Sequence, residues 1–401
     1  MPGTTFRRLL CEIIHWLEGS LGCISEPTMV DDLARRGETA IRRASEFLVA
    51  RQDDDGAWRS REDDDFANGH ALTAHVLRAL RAFPQPAEVG DAVARGFDFV
   101  ETMFPDGDTM NTGSPPLLYP MTTAAGALYL LATSNRRRRT EMMPVLVRYL
   151  CNAQYNEDTG YGPEDIEYGG FGYRPARAKG DPGERVPEFD YPHLAAVMFV
   201  VEALALSEHP GAREALRKAR IFVGRCQNYA EPEPAGNDGG FVFSPAIASL
   251  NKAGPEQGNA TGFRSYGTMT ANGLRLLSIL GYGTAHPRFV AAAEWLRGNF
   301  RADAVPGEFT MDRLESQASV YYYYVWTVAH ALQLLGRVAI DTPRGNVYWA
   351  RELTTQLIDR QLPDGMWRND AAARKESLIP IADMVALPAL AICQTFLSQH
   401  R

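Results

Sequence analysis

The chain has 401 residues, 45% of them hydrophobic and 22% charged, which is enough apolar side chain to bury a large core. Its formal net charge of −8 and its pI near 5.6 argue against a general nucleic-acid-binding protein, because phosphate binding requires a basic face. The composition therefore predicts a soluble globular protein without a nucleic-acid partner.

The N-terminal segment "FRRLLCEIIHWLEGSLG" has an apolar stripe that Glu12, His15 and Glu18 interrupt. These polar residues argue against a secretory signal and against a membrane span. We expect residues 1–30 to form an amphipathic helical extension, with peripheral membrane contact as the alternative. The five cysteines are scattered, odd in number and without metal-ligand spacing, so a reducing, cytoplasmic location is predicted.

Six similar segments follow along the chain, at intervals of roughly 50 to 75 residues, within or somewhat above the usual repeat range. Each has an apolar helix end, a turn rich in Asp and Gly, and then an aromatic residue: "FLVARQDDDGAW", "FVETMFPDGDTM", "YLCNAQYNEDTGYG", "FVGRCQNYAEPEPAGNDGGF", "WLRGNFRADAVPGEF" and "LIDRQLPDGMW". Each segment precedes a second helix that is apolar on more than one face, as buried helices are: "LTAHVLRALRAF", "TTAAGALYLLATS", "HLAAVMFVVEALAL", "MTANGLRLLSILG", "YYYYVWTVAHALQLLG" and "IADMVALPALAICQTF".

Six outer helices that alternate with six buried inner helices satisfy both patterns when they close into a ring. We therefore predict an all-α protein in which residues 31–401 form a single (α/α)6 toroid of six helix-hairpin repeats around a central cavity.

The turns "QDDDGAW" and "QLPDGMW" resemble the QW repeats of squalene-hopene cyclases and other class II terpene cyclases. The stretch "DYPHLA" resembles one in protein prenyltransferase β subunits, which share the toroid. From about residue 30 onward the chain is similar to bacterial prenyltransferase/squalene-oxidase-repeat proteins through "RCQN", "NDGGFVFSP", "RSYGTMT" and "YYYY". The resemblance implies the toroid fold, but it does not specify a reaction.

Class II terpene cyclases carry an Asp-x-Asp-Asp motif at the start of one inner helix, and its middle Asp protonates an alkene or an epoxide. When "DYPH" is placed on that motif, Asp190 takes the first position, Pro192 the position of the acid, and His193 the next one. We predict that Asp190 and His193 form the acid pair if the protein is catalytic.

Other side chains at the predicted starts of the inner helices should meet at one rim of the cavity and bind the substrate. They are Tyr191, Arg264, Ser265, Tyr266, Thr268, Tyr321, Tyr322, Tyr323, Tyr324, Trp326 and Asp383. An aromatic face stabilises a nearby cation by about 0.5 to 2 kcal/mol, so the aromatic members suit a cationic cyclisation, with simple core filling as the alternative. The ligand could carry a diphosphate head group near Arg264 or be a neutral hydrocarbon. We favour the hydrocarbon, because the carboxylates of Asp190 and Asp383 at the same rim would repel a diphosphate.

Protein prenyltransferases resemble this fold but use an Asp, a Cys and a His as zinc ligands, whereas "RSYGTMTANGL" and "IADMVALPALAI" supply no matching Cys or His. We therefore expect no metal and no cofactor. The leading hypothesis is a terpene-cyclase-like protein, an isomerase if catalytic, that binds an isoprenoid or similar apolar molecule. The alternatives are a non-catalytic isoprenoid-binding or scaffold protein and a carbohydrate-active toroid with two acids some 5 to 9.5 Å apart.

Overall fold

The computed structural model describes residues 26–84, 86–104, 110, 117–135, 139–230, 237–255 and 262–399. The predicted N-terminal extension lies outside these residues except at its end, where the first described helix already begins at Glu26. We label the described helices longer than ten residues as follows: α1 Glu26–Val49, α2 His70–Leu80, α3 Ala87–Glu101, α4 Pro120–Ala132, α5 Arg139–Asn152, α6 Leu194–Ser207, α7 Arg213–Arg225, α8 Gly267–Ile279, α9 Pro287–Asn299, α10 Tyr321–Leu335, α11 Trp349–Asp359 and α12 Asp383–Gln399.

The shorter elements lie in the connections. Two short α-helical segments, Pro187–Asp190 and Leu314–Ala318, precede α6 and α10. Strands β1 (Ile340–Thr342) and β2 (Gly345–Val347) form an antiparallel hairpin in which Ile340 pairs with Val347.

The even-numbered helices form a closed inner ring. Helix α2 packs on α4, α4 on α6, α6 on α8, α8 on α10, α10 on α12, and α12 packs back on α2. The odd-numbered helices lie outside them: α3 contacts α2, α5 contacts α4, α7 contacts α6, α9 contacts α8, and α1 and α11 contact α12. This is the predicted (α/α)6 toroid.

Burial explains why the inner helices are apolar on every face. An inner helix contacts its two ring neighbours and an outer helix, so little of its surface remains for water. In α4 small side chains also allow close approach, because a methyl group added at Gly126 would lie 2.9 Å from the Cβ of Ala74 in α2.

Glutamine side chains in four of the Asp- and Gly-rich turns join neighbouring outer helices. Each glutamine Nε2 donates one hydrogen bond to a glycine carbonyl in its own turn and one to a carbonyl of the next outer helix: Gln52 to Gly56 and Ala92, Gln154 to Gly169 and Ala215, Gln227 to Gly239 and Arg288, and Gln361 to Gly365 and Ala40. Because the Gln361 bond runs from the turn after α11 to α1, it closes the outer ring.

One described segment, Pro187–Ser207, is long and apolar enough to cross a membrane, but 67% of its most apolar window is buried inside the protein. The segment contains the inner helix α6, and a core helix of a globular protein meets the same criteria.

Candidate functional site

A cavity of about 230 Å³ lies inside the ring and is bordered by all six inner helices. The side chains that these helices contribute are Ala71, Leu72, His75 and Arg78 of α2, Thr122 of α4, Ala195 and Phe199 of α6, Thr268 and Met269 of α8, Tyr323 and Trp326 of α10, and Met384 and Val385 of α12. Most of this wall is apolar or aromatic, which suits an apolar ligand.

The connections before the inner helices supply the upper wall of the cavity, which carries more charge. Its residues are Phe66, Tyr119, Tyr173, Glu188, Phe243, Lys252, Val320, Arg374, Lys375, Glu376 and Ile381. The side chains of Glu188, Arg374 and Lys375 are 30 to 40% exposed, so this end is the mouth of the cavity.

Three buried charges close the opposite end. Glu202 of α6 lies between Arg78 of α2 and Arg275 of α8, with ion-pair distances of 2.7 and 2.9 Å. Each residue comes eight positions after the first residue of its helix, about 12 Å along the helix axis. Burial by itself raises the pKa of Glu202, but the two arginine charges outweigh it and hold the pKa below its ordinary value. Arg78 therefore lines the floor of the cavity as one member of a charged triad, while Glu202 and Arg275 lie behind the lining.

Trp326 and two neutral histidines lie beside this triad. The guanidinium carbons of Arg78 and Arg275 are 4.9 and 4.6 Å from the centroid of the Trp326 ring. Burial, together with the charge of Arg78, lowers the pKa of His75 to about 4, and burial lowers that of His330 well below its ordinary value. Both imidazoles are therefore neutral at pH 7.

The structure does not assemble Asp190 and His193 into an acid pair. Asp190 is buried outside the cavity lining, where its carboxylate accepts hydrogen bonds from the Val186 N–H (2.7 Å) and from Arg174 (3.4 Å). These contacts fix the connection before α6 and engage the Asp190 carboxylate outside the cavity lining.

His193 is the N-cap of α6, because its Nδ1 accepts the N–H of Ala196 at 3.2 Å. Its ring stacks on Phe243 at 4.5 Å and meets the edge of Tyr173 at 4.4 Å. Burial, and then the charge of Lys252, lower the pKa of His193 to about 3. A neutral imidazole carries no extra proton to donate near pH 7, so the geometry supports a capping role, and a catalytic role for His193 stays a prediction.

Three of the eleven predicted substrate-binding residues line the cavity: Thr268, Tyr323 and Trp326. The Tyr323 hydroxyl accepts a hydrogen bond from Asn272 Nδ2 at 2.8 Å, and its own proton is left for a ligand. Thr268 Oγ1 and Trp326 Nε1 are buried and have no hydrogen-bond partner among the described residues. These three side chains add polar groups to the inner-helix wall beside His75, Arg78 and Thr122.

The other three tyrosines of the predicted aromatic run reach outward. The hydroxyl groups of Tyr321, Tyr322 and Tyr324 donate to the carbonyls of Ala302 (2.8 Å), Arg368 (3.4 Å) and Arg301 (2.8 Å). They hold connecting segments against α10 and do not line the cavity.

The residues before α8 and Tyr191 also lie away from the cavity. Arg264 pairs with Glu308 at 2.8 Å, and the Ser265 hydroxyl donates to Asp238 at 2.8 Å; both residues border a separate groove at the outer surface. Tyr266 is buried with its ring edge against Phe309, and the Tyr191 ring lies under the guanidinium of Arg185. A rim site built on Arg264 does not form.

Asp383 has a structural role. Its Oδ1 accepts the backbone N–H of Trp367 at 2.9 Å, and threonine hydroxyls take the corresponding place in two other repeats: Thr73 with Trp58 and Thr270 with Phe241. Burial raises the pKa of Asp383 to about 8. The side chain joins a turn to an inner helix and does not line the cavity.

Sequence reasoning missed the charged residues of the upper wall. Glu376 accepts the N–H groups of Tyr322 (3.1 Å) and Tyr323 (2.7 Å) and the Asn369 amide (2.8 Å), so it caps α10, and burial raises its pKa to about 7. Lys252 is only 7% exposed, with Nζ 4.2 Å from the Phe243 ring centroid. Burial, and then the charge of Arg374, lower the pKa of Lys252 to about 7. Glu376 and Lys252 lie in the connections between helices, where no sequence period predicts which side chains face the cavity.

Among the described residues, no group of three or more His, Cys, Asp or Glu side chains is arranged to hold a metal ion. The polar side chains that line the cavity carry guanidinium, ammonium, carboxyl, imidazole and hydroxyl groups.

No protein-family model and no curated protein matches the sequence. Solved structures do match. The type II terpene cyclase MstE from Scytonema, bound to geranylgeranyl dihydroxybenzoate, superposes with a TM-score of 0.53 and 12% identity over 92% of this chain and 99% of its own. The chain has the toroid fold of the type II terpene cyclases.

The same fold occurs in carbohydrate-active neighbours. Cellobiose 2-epimerase from Spirochaeta thermophila matches with a TM-score of 0.60 and 14% identity over 94% of this chain and 99% of its own. A glycosidase matches with a TM-score of 0.50 and 11% identity, over 91% and 98%. At these identities the shared toroid fold does not fix the reaction.

Proposed function

We propose that this chain binds a short isoprenoid, or an apolar molecule of similar size, in the cavity inside its ring. The observation that carries the proposal is the wall of that cavity, to which all six inner helices contribute mostly apolar and aromatic side chains. Burial of apolar surface contributes about 25 cal/mol per Å², so this wall favours a hydrocarbon chain. The isoprenoid-bearing ligand of the MstE neighbour supports the same ligand class.

The size of the cavity favours a short chain. Its volume of about 230 Å³ is below the range of about 300 to 1,000 Å³ that is usual for drug-sized ligands. A farnesyl chain therefore suits it better than squalene does.

Binding is better supported than a cationic cyclisation. A carbocation in the cavity would lie near the triad of Arg78, Glu202 and Arg275, which carries one net positive charge beside the Trp326 ring. The predicted acid pair, Asp190 and His193, also does not line the cavity. A binding protein without cyclase activity, which the sequence left as an alternative, is therefore our first choice.

If the protein catalyses a protonation step, we propose Glu376 as the acid. Its carboxyl group lines the cavity and, with a pKa of about 7, retains a proton near neutral pH. Its hydrogen bonds to the start of α10 would have to persist or rearrange during the step.

Binding is tested by filling the cavity. Ala195 lines it from the first turn of α6, so Ala195→Phe should lower farnesol affinity at least about tenfold in a fluorescence-competition or calorimetric titration. The matched control is Leu206→Phe on the same helix, where the side chain is 42% exposed. Farnesol uptake that is equal in both variants, with circular dichroism showing both folded, would contradict the proposal.

Catalysis is tested separately by incubating the protein with farnesol, farnesyl diphosphate and squalene and analysing extracts by gas chromatography and mass spectrometry. Unchanged compounds support the binding protein. A product that Glu376→Gln abolishes and Asp190→Asn leaves intact would instead establish an enzyme with Glu376 as its acid.

A carbohydrate-active function is the second candidate, because two carboxylates, Glu188 and Glu376, line one cavity together with aromatic rings. The apolar inner wall and the capping role of Glu376 weigh against it. Incubation with cellobiose, followed by proton NMR for an epimerised or hydrolysed sugar, decides between the two functions.

A further inference from the structure

The upper wall of the cavity holds more hydrogen-bond donors than acceptors. Within the described chain, Lys252 Nζ has no hydrogen bond or ion pair, although the residue is only 7% exposed. The Nε of Arg374 and the Oγ1 of Thr268 are buried, and neither has a hydrogen-bond partner there. Buried donors of this kind are costly unless an acceptor meets them, so the three groups point to a ligand with oxygen acceptors.

The acceptors nearby are already engaged. Glu376 accepts two backbone N–H groups and an amide, and Glu188 lies 3.7 Å from Arg374. Lys375 is neutralised by Asp63 and Asp65 at the mouth. The pairing of these charges leaves the ammonium of Lys252 without a counterion.

We propose that Lys252, together with Arg374 and Thr268, binds the carboxylate of an apolar carboxylic acid whose chain extends between the inner helices. This inference rests on the proposed function and specifies the head group of its ligand. One uncompensated lysine charge matches a monoanion, and the arginine and threonine donors supply its remaining hydrogen bonds.

A diphosphate matches the same donors less well. It carries more than one negative charge, whereas Glu188 is a carboxylate of the same cavity and would repel the excess. A monoanionic carboxylate needs no bridging cation.

The test is a calorimetric titration of the full chain with farnesoic acid and with farnesol, which share the chain and differ in the head group. We expect farnesoic acid to bind about ten- to a hundredfold more tightly at pH 7, the range for hydrogen bonds to charged groups. Lys252→Met should remove that preference and leave farnesol affinity within about threefold. Dodecanoic acid, with an unbranched chain, shows whether the tail must be isoprenoid.

Two further variants separate the effect of losing the Lys252 charge from an effect on folding. Lys179→Met removes a half-exposed lysine that pairs with Asp165 and does not line the cavity, so this variant should retain the preference for the acid. Arg374→Gln is a second variant, which should lower the affinity for farnesoic acid by about tenfold. It tests the proposal even if Lys252→Met were poorly folded.

Proton uptake gives a readout that a merely structural lysine would not produce. The charged and titratable groups near Lys252 are Arg374, Glu188 and the neutral His193, and Glu376 also titrates in the same cavity. At pH 8 the free amine is largely neutral, so binding the acid should draw a proton, and the heat should differ between phosphate and Tris buffers. The uptake should persist in Glu376→Gln and vanish in Lys252→Met.

The outcomes distinguish the two proposals. If neither compound binds, the proposed function and the inference both fail. If the acid and the alcohol bind equally, or Lys252→Met weakens both to the same degree, the proposed function stands and the carboxylate site is overturned.

Discussion

Replacing Glu202 by glutamine removes the negative charge between two buried guanidinium groups. The side chains are 13% exposed for Glu202, 9% for Arg78 and 3% for Arg275, so water screens their charges little. Removing one partner of a buried ion pair costs about 3 to 5 kcal/mol, because the other charge stays buried without compensation. Since glutamine keeps one carbonyl acceptor, we expect Glu202→Gln to lower the free energy of unfolding by about 3 to 4 kcal/mol at pH 7.

The assay is urea unfolding followed by far-ultraviolet circular dichroism. The matched control is Glu214→Gln on the outer helix α7, where Glu214 and its partner Arg217 are 58% and 60% exposed. An exposed pair is worth less than about 1 kcal/mol, so this variant should unfold close to the wild type. A loss below about 1 kcal/mol in Glu202→Gln as well would refute the reasoning, because the triad would then behave as a solvated pair.

The pH dependence checks the same charge. The folded pKa of Glu202 lies below its ordinary value, so its stabilisation is present above the unfolded pKa and is lost as the pH falls through the folded pKa. The difference between wild type and Glu202→Gln should therefore shrink below about pH 4. The triple variant Arg78→Met, Glu202→Leu and Arg275→Met should be close to neutral, because it removes all three charges and keeps apolar volume.

Three further predictions concern the ring and its polar contacts. Gln361→Leu should cost about 1 to 3 kcal/mol in urea unfolding, because it removes the hydrogen bonds from Nε2 to the Gly365 and Ala40 carbonyls where the outer ring closes. The Tm of Asp383→Thr relative to the wild type should rise between about pH 4 and about pH 8, because burial raises the folded pKa of Asp383 to about 8 and the wild type loses stability across that interval; a Tm difference that stays constant with pH contradicts this. His193→Asn keeps an acceptor for the Ala196 N–H. Burial lowers the pKa of His193 to about 3, so the wild-type protein loses stability as the pH falls below about 6.5. The stability of the variant should therefore fall less between pH 7 and pH 5 than that of the wild type.

The toroid could be predicted because its repeat leaves a strong signal. Burial on every face makes the inner helices apolar all round, and chain reversal requires the Asp- and Gly-rich turns, so both patterns recur along the chain. The boundary at residue 31 was less well determined. Helix α1 begins at Glu26, within the predicted extension, because helix starts have weak local signals.

The candidate site was predicted only in part, because the start of an inner helix does not decide which way a side chain points. Four consecutive tyrosines turn through about 100° at each step, so they cannot all face one cavity. Tyr323 does, and its three neighbours reach loop carbonyls. Lys252 and Glu376 lie in connections, where no period relates sequence position to the cavity.

The charged floor, in contrast, has a signal that comparison of the repeats can find. Helices α2, α6 and α8 each carry a single Asp, Glu, Lys or Arg residue, and in all three it comes eight positions after the helix begins: Arg78, Glu202 and Arg275. Inner helices of a closed ring start at one rim, so equal positions along them lie at equal depth. Lone charges of opposite sign at one depth, in helices otherwise apolar, must pair with one another because a buried charge requires a partner. The register of polar residues between repeats therefore predicts contacts that the pattern within any single helix does not contain.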